Sequence, residues 1–120
     1  MTNIFETTEQ SSLINSKNLP KVDNFTKVMD CLNQGLNLFI TGVAGSGKSY
    51  LLRQLKETFT DKLHLTATTG ISAININGVT IHSWAKLGVG TTSAQQIVSK
   101  INRDEQALNR IVSCKILAID

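Results

Sequence analysis

The stretch Gly42-Val43-Ala44-Gly45-Ser46-Gly47-Lys48-Ser49 decides the fold of this sequence of 120 residues. It matches the phosphate-binding pattern G-x-x-x-x-G-K-[ST] at every fixed position. Its glycines let the backbone turn successive N–H groups toward an anion. Lys48 has the charge and reach for the β- and γ-phosphates, and the Ser49 hydroxyl suits Mg²⁺. The whole stretch is therefore predicted to bind a nucleotide, with a glycine-rich turn that matches by chance as the alternative.

The flanking residues favour the nucleotide interpretation. Residues 36–41 read as a short buried strand that runs into the loop, and residues 50–59 read as a helix behind it. The helix places its apolar residues on one side: Leu51, Leu52, Leu55 and Phe59. A strand, a glycine-rich loop and the N-terminal end of a helix together present dipoles and N–H groups to phosphate oxygens.

Composition indicates an ordinary soluble globular protein, with 41% hydrophobic and 18% charged residues. No apolar run is long enough for a membrane span, and the N-terminus has neither a signal nor a transit pattern. Cys31 and Cys114 lie far apart without metal-ligand spacing, which predicts buried free thiols in a reducing, intracellular compartment. The net charge of +3 permits a polyanionic partner without requiring one.

The rest of the chain is predicted to alternate helices and strands after a flexible arm over residues 1–18. Pro20 suits the first turn of a helix that ends at Gly35, and Thr92 or Ser93 can cap a later one. The remaining predictions are a strand over 63–67, two short helical turns broken at Asn77-Gly78, helices around 94–101 and 107–112, and a strand over 115–120. This order favours an α/β fold with a parallel sheet, whose ligand lies at the carboxyl ends of the strands.

Asp120 follows the apolar run Ile116-Leu117-Ala118-Ile119, as the magnesium-binding acid follows a buried strand in phosphate-loop ATPases. The sequence predicts that Asp120 and Ser49 hold Mg²⁺, and the alternative is a solvated acid at a strand end. No later residue remains to polarise the attacking water or to contact the γ-phosphate. We therefore expect the N-terminal part of a larger ATPase, incomplete for turnover by itself.

Two further stretches carry a family resemblance. Thr66-Ala67-Thr68-Thr69-Gly70-Ile71-Ser72-Ala73 and Gly78-Val79-Thr80-Ile81-His82-Ser83-Trp84 resemble the second conserved block of the PIF-type (petite integration frequency) DNA helicases of superfamily one. The likeness covers residues 19–120. It implies a RecA-like P-loop ATPase domain that uses ATP and Mg²⁺ through Lys48 and Asp120, and a motor that moves 5′ to 3′ on single-stranded DNA. The residues at the family's DNA-contact positions are Thr68, Thr69, Gly70 and His82.

Two side chains in these blocks have competing interpretations. Trp84 offers a stacking face to a base or fills the core, and His82 contacts DNA or hydrogen-bonds a neighbouring loop. The sequence also departs from the family pattern. Phe25 falls near the position of a Gln that contacts adenine in the family, and Ser46 stands where the family often has Thr.

The resemblance implies a role in DNA replication, recombination, repair or telomere maintenance. We also expect a protein without membrane association, because no apolar run is long enough for a span, and a monomer in the nucleus of a eukaryote or in the cytoplasm otherwise. A RecD-like or relaxase-linked helicase remains a rival, as does a nucleotide- or DNA-binding module without motor activity. An unrelated ATPase or small-molecule kinase is the third alternative.

Overall fold

The computed structural model describes residues 3–5, 23–42 and 47–120. The chain divides into two compact units, Met1–Leu55 and Lys56–Asp120. Within the described residues, no helix is both long and apolar enough to span a bilayer.

The first unit contains two strands and two helices. Strand β1 (Asn3–Phe5) pairs antiparallel with β2 (Phe39–Thr41), with Ile4 opposite Ile40. The predicted strand over 36–41 is thus shorter than expected. Three residues of the predicted flexible arm form β1, whereas the rest of the arm and Pro20 lie outside the described residues.

Helix α1 (Asn24–Asn33) begins where Asp23 caps it, because the Asp23 carboxylate accepts a hydrogen bond of 3.2 Å from the N–H of Phe25. The helix ends at Asn33, and Gly35 follows its last turn, at the position where the sequence predicted a helix end. Gly35 has a φ of +73°, and its N–H bonds the Leu32 carbonyl at 3.0 Å. This left-handed residue after the last turn satisfies carbonyls that the helix itself leaves unpaired.

Helix α2 (Lys48–Phe59) starts at the predicted phosphate loop and runs across the boundary between the two units. Leu51 and Leu55 are buried, which confirms the predicted apolar side of this helix. Its last turns belong to the second unit, where Lys56 donates to the carbonyl oxygens of Thr60 and Leu63 at 2.7 and 2.6 Å.

The second unit is built on a parallel sheet of the order β4-β3-β5. Its strands are β3 (Leu63–Ala67), β4 (Val79–Thr80) and β5 (Ile116–Ile119). In β3, Thr66 stands opposite Val79 of β4 and Ile119 of β5. Central β3 is the most buried strand of this sheet, with Leu63, Leu65, Thr66 and Ala67 all buried.

Along the chain, four helices follow β3 and precede β5: α3 (Gly70–Asn75), α4 (Ile81–Trp84), α5 (Ala94–Arg103) and α6 (Glu105–Ser113). The predicted break at Asn77-Gly78 is confirmed, since α3 ends there and Asn77 has a φ of +54°. The short strand β4 was not predicted. Ser93 caps α5 in a reciprocal capping box with Gln96, as the sequence allowed.

The junction between α5 and α6 is made by one residue. Asp104 closes α5 and caps α6, because its Oδ1 accepts from the N–H of Ala107 at 3.0 Å. Its Oδ2 lies 2.7 Å from Nζ of Lys86, in the segment after α4. The ion pair with Lys86 and the cap both lower the pKa of the Asp104 carboxyl.

Candidate functional site

The described ends of the phosphate loop have the features that anion binding requires. Gly42 follows β2, Gly47 has a φ of +93°, and Lys48 begins α2. The ammonium of Lys48 donates a hydrogen bond to the carbonyl of Gly42. The four residues between, Val43, Ala44, Gly45 and Ser46, lie outside the described residues.

The start of α2 adds a dipole to this charge. The N–H of Leu51 bonds the carbonyl of Gly47 at 2.9 Å, which fixes Gly47 as the residue before the first turn. N–H groups in the first turn of a helix have no acceptor within the helix, and they carry its partial positive charge. Lys48 is half-buried and Ser49 is exposed. Lys48 and Ser49 thus both belong to the first turn of α2, at the end of the helix that favours anions.

Asp120 lies at the carboxyl end of β5, with its side chain exposed. Two backbone hydrogen bonds hold Asp120: its N–H bonds the Thr66 carbonyl of β3 at 2.8 Å, and its carbonyl accepts from the N–H of Thr68, directly after β3, at 3.1 Å. The Thr66 hydroxyl also donates to Ala118 at 2.7 Å. The backbone thus brings the predicted magnesium ligand directly beside Thr68, the first of the predicted DNA contacts.

The other predicted DNA contacts gather at the same edge of this sheet. Thr68 directly follows β3, and Ile81 directly follows β4, with Ala67 opposite Thr80 in the parallel pair. Because parallel strands end at one edge, residues 68–70 and α4 start side by side. Thr68, Thr69, Gly70 and His82 are all exposed.

Thr69 has a structural role that the sequence reading missed. Its hydroxyl accepts from the N–H of Ser72 at 3.2 Å and lies 3.0 Å from the Ser72 hydroxyl, so it caps α3. Substitution of Thr69 therefore alters a helix cap as well as any contact with DNA.

Trp84 belongs to the core. Its side chain is 8% exposed, and its indole N–H donates to Nδ1 of His64 at 2.8 Å. The two rings meet edge to face, with centroids 5.8 Å apart and planes at 77°. Of the two interpretations of Trp84, packing is therefore the one observed. His64 was not singled out from the sequence, because it lies on β3, far from Trp84 along the chain.

The comparison with known proteins decides the family. The sequence profile of the PIF1-like helicases matches residues 18–120. The chain belongs to the PIF1-like helicase family. Family membership decides against an unrelated ATPase or small-molecule kinase and agrees with the resemblance seen in the two long sequence blocks.

Individual PIF1-like proteins support the same assignment. The chain is 40% identical over 96 residues to the ATP-dependent DNA helicase PIF1 of Emericella nidulans, covering 74% of this chain and 13% of the relative. It is 42% identical over 91 residues to the ATP-dependent DNA helicase PIF5 of Trypanosoma brucei brucei, covering 72% and 10%. The chain thus spans about an eighth to a tenth of the length of these curated relatives.

A solved structure supports the fold. The crystal structure of the Pif1 helicase from Candida albicans matches with a TM-score of 0.71 and 36% identity, over 85% of this chain and 24% of that one. The predicted fold class is therefore confirmed: this PIF1-like chain has the α/β architecture of a RecA-like P-loop NTPase. Phe25, at the expected position of the family's adenine-contacting Gln, lies in the first turn of α1 and offers no side-chain hydrogen bond to a base.

Proposed function

We propose that this chain is the ATP-binding portion of an ATP-dependent DNA helicase that moves 5′ to 3′ on single-stranded DNA. The relatives are named ATP-dependent DNA helicases. The observation that carries the proposal is the pair of backbone hydrogen bonds that ties Asp120 to Thr66 and Thr68. A motor has to link its nucleotide to its DNA, and here Asp120, one of the proposed nucleotide ligands, lies beside Thr68, one of the proposed DNA contacts.

The residues present fit ATP and Mg²⁺. Lys48 supplies a cation for the phosphates, and the first turn of α2 supplies N–H donors. The Ser49 hydroxyl and the Asp120 carboxylate are hard oxygen donors of the kind that Mg²⁺ prefers. Bound Mg²⁺ would offset the negative charge of the β- and γ-phosphates. The role of these side chains is to hold and orient the triphosphate.

The proposed DNA contacts suit a protein that moves along single-stranded DNA of any sequence. Residues 68–70 offer hydroxyl and backbone N–H donors, and His82 offers an imidazole, at one exposed edge of the sheet. Such groups bind phosphate and sugar oxygens, which are the same at every nucleotide. We place the protein in DNA replication, recombination, repair or telomere maintenance, as a monomer in the nucleus of a eukaryote or in the cytoplasm otherwise.

The test is ATP hydrolysis by the full product of the reading frame, with and without single-stranded DNA. Lys48→Ala is expected to abolish nucleotide binding and DNA-stimulated hydrolysis. Lys62→Ala removes the same charge from the exposed turn before β3 and serves as the matched control. An ATP hydrolysis rate that single-stranded DNA does not raise would contradict motor activity. ATP hydrolysis retained in Lys48→Ala would contradict the assignment of the phosphate loop.

The second candidate is a module that binds nucleotide or DNA without moving. Binding of an ATP analogue that depends on Lys48, without hydrolysis even in the full reading-frame product, would select it.

A further inference from the structure

The ring of His64 joins two parts of the second unit. On one side its Nδ1 lies 2.8 Å from the indole nitrogen of Trp84, the last residue of α4. On the other side its Nε2 lies 3.2 Å from the carbonyl oxygen of Asp61, in the turn before β3. Both ring nitrogens are therefore engaged.

These partners allow one protonation state. The Trp84 indole nitrogen is a donor, so Nδ1 of His64 has to accept and carries no hydrogen. The Asp61 carbonyl accepts, so Nε2 has to carry the hydrogen. The arrangement selects the neutral imidazole with its proton on Nε2. Protonation would place a second N–H on Nδ1, pointing at the indole N–H, and the hydrogen bond to Trp84 would be lost.

The bond matters because α4 is a single turn with few anchors. Its N-terminus is capped by the Thr80 hydroxyl, which accepts from the N–H of Ser83 at 3.2 Å. Its C-terminal carbonyl, that of Trp84, accepts from Nε of Arg110 on α6 at 3.1 Å. The buried Trp84 side chain and its bond to His64 fix the turn to β3. The same turn carries His82 to the surface.

We propose that His64 is a positioning residue for the DNA contact made by α4. The neutral ring holds Trp84 and thereby sets His82 at the sheet edge beside residues 68–70. Protonation of the ring releases Trp84, and binding of single-stranded DNA weakens. The inference rests on the proposed DNA role of His82, which the experiment tests separately.

The elements beside His64 carry other titratable or charged groups. Those on the surrounding elements are Lys56 of α2, Asp61, Arg110 of α6 and Cys114 before β5. Histidine is the side-chain type that normally titrates between about pH 5 and 8. Burial raises the pKa of the Cys114 thiol, which keeps it neutral in this range.

Three variants separate the hydrogen bond from simple packing. His64→Asn puts an amide oxygen close to the position of Nδ1, which preserves an acceptor that does not titrate. His64→Leu removes the acceptor and leaves the indole N–H unpaired. Trp84→Phe removes the donor and keeps an aromatic ring. It tests the same hydrogen bond if His64→Leu does not fold.

The measurement is the anisotropy of a fluorescein-labelled oligothymidylate titrated with the full chain at constant salt, at about pH 8 and about pH 5.5. Wild type is expected to lose affinity on acidification by about tenfold more than His64→Asn, the cost of one unpaired buried donor. His64→Leu and Trp84→Phe are expected to bind about tenfold more weakly than wild type already at the higher pH. The sequence contains one tryptophan, so its emission reports the release of Trp84 directly.

Wild type and His64→Asn both contain His82, so the comparison between them removes any effect of pH on DNA binding that arises at His82. Identical pH profiles for wild type and His64→Asn would overturn the positioning role. So would wild-type affinity in both His64→Leu and Trp84→Phe. If His82→Ala binds DNA with wild-type affinity as well, the DNA site proposed for α4 is wrong. If His82→Ala binds weakly while His64→Leu and Trp84→Phe bind normally, the DNA site stands and only the positioning role of His64 is wrong.

Discussion

At the scale of single residues, several positions are determined by contacts that lie far away in the sequence. The sequence shows that Asn77-Gly78 breaks a helix, because both residue types favour turns. It does not show that Gly78 passes directly over β3. A Cβ added to Gly78 would lie 2.4 Å from the Leu65 carbonyl oxygen, which is backbone of the central strand. Trp84 is a similar case, because its indole N–H bonds His64, which lies 20 residues earlier in the sequence.

Gly78→Ala is therefore expected to destabilise the chain by about 1–3 kcal/mol, because backbone has to move to admit the methyl group. Gly70→Ala is the matched control, since a Cβ there meets nothing within 4 Å. It is expected to be neutral or to stabilise by about 0.4–1 kcal/mol. Urea unfolding followed by circular dichroism measures both. Equal stability of the two variants would show that β3 does not constrain Gly78.

At the scale of elements, the sequence predicted those whose signals are local. Apolar spacing and Gly35 predicted α1, a cap and apolar spacing predicted α5, and short apolar runs predicted β3 and β5. Strand β4 is two residues long, too short for any periodic pattern, and it forms because β3 lies beside it. Strand β1 likewise depends on its partner β2, more than thirty residues along the chain. Pairing of this kind is a tertiary effect that single-sequence patterns do not contain.

The junction of α5 and α6 gives the prediction at this scale. Asp104→Asn keeps a good cap for α6 and removes the charge that pairs with Lys86. The folded-state pKa of Asp104 is lowered, so its contribution to stability is present above the unfolded value of about 3.9 and is lost as the pH falls through the folded value. The variant is expected to unfold at lower urea than wild type at neutral pH.

Below the folded pKa of Asp104 the two proteins are expected to unfold at the same urea concentration, because the wild-type carboxyl is then neutral as well. A urea series at several pH values makes this comparison. High salt at neutral pH is also expected to reduce the difference in urea midpoint between wild type and Asp104→Asn, because the ion pair with Lys86 is partly exposed to solvent. A difference that persists unchanged in acid would mean that the charge of Asp104 contributes nothing.

At the scale of the whole molecule, most of the residues proposed to bind ATP and those proposed to bind DNA belong to different units. The described end of the phosphate loop and the first turns of α2 fall in Met1–Leu55. Residues 68–70 and α4, proposed to bind DNA, fall in Lys56–Asp120, together with Asp120 itself. Asp120 is thus the one proposed nucleotide ligand in the unit that carries the DNA contacts. Its backbone hydrogen-bonds to Thr66, the fourth residue of β3, and to Thr68, directly after β3.

Hydrogen exchange read by mass spectrometry tests this division. A non-hydrolysable ATP analogue with Mg²⁺ is expected to slow exchange at residues 47–55, because bound phosphates engage the first turn of α2 and suppress its local opening. Oligothymidylate is expected to slow exchange at residues 68–70 and 80–84. Lys48→Ala should erase the first pattern and leave the second, because its substitution touches no proposed DNA contact. Protection of residues 47–55 by the analogue that survives in Lys48→Ala would show that the nucleotide binds elsewhere. DNA protection confined to the first unit would contradict the assignment of the track to the edge formed by β3 and β4.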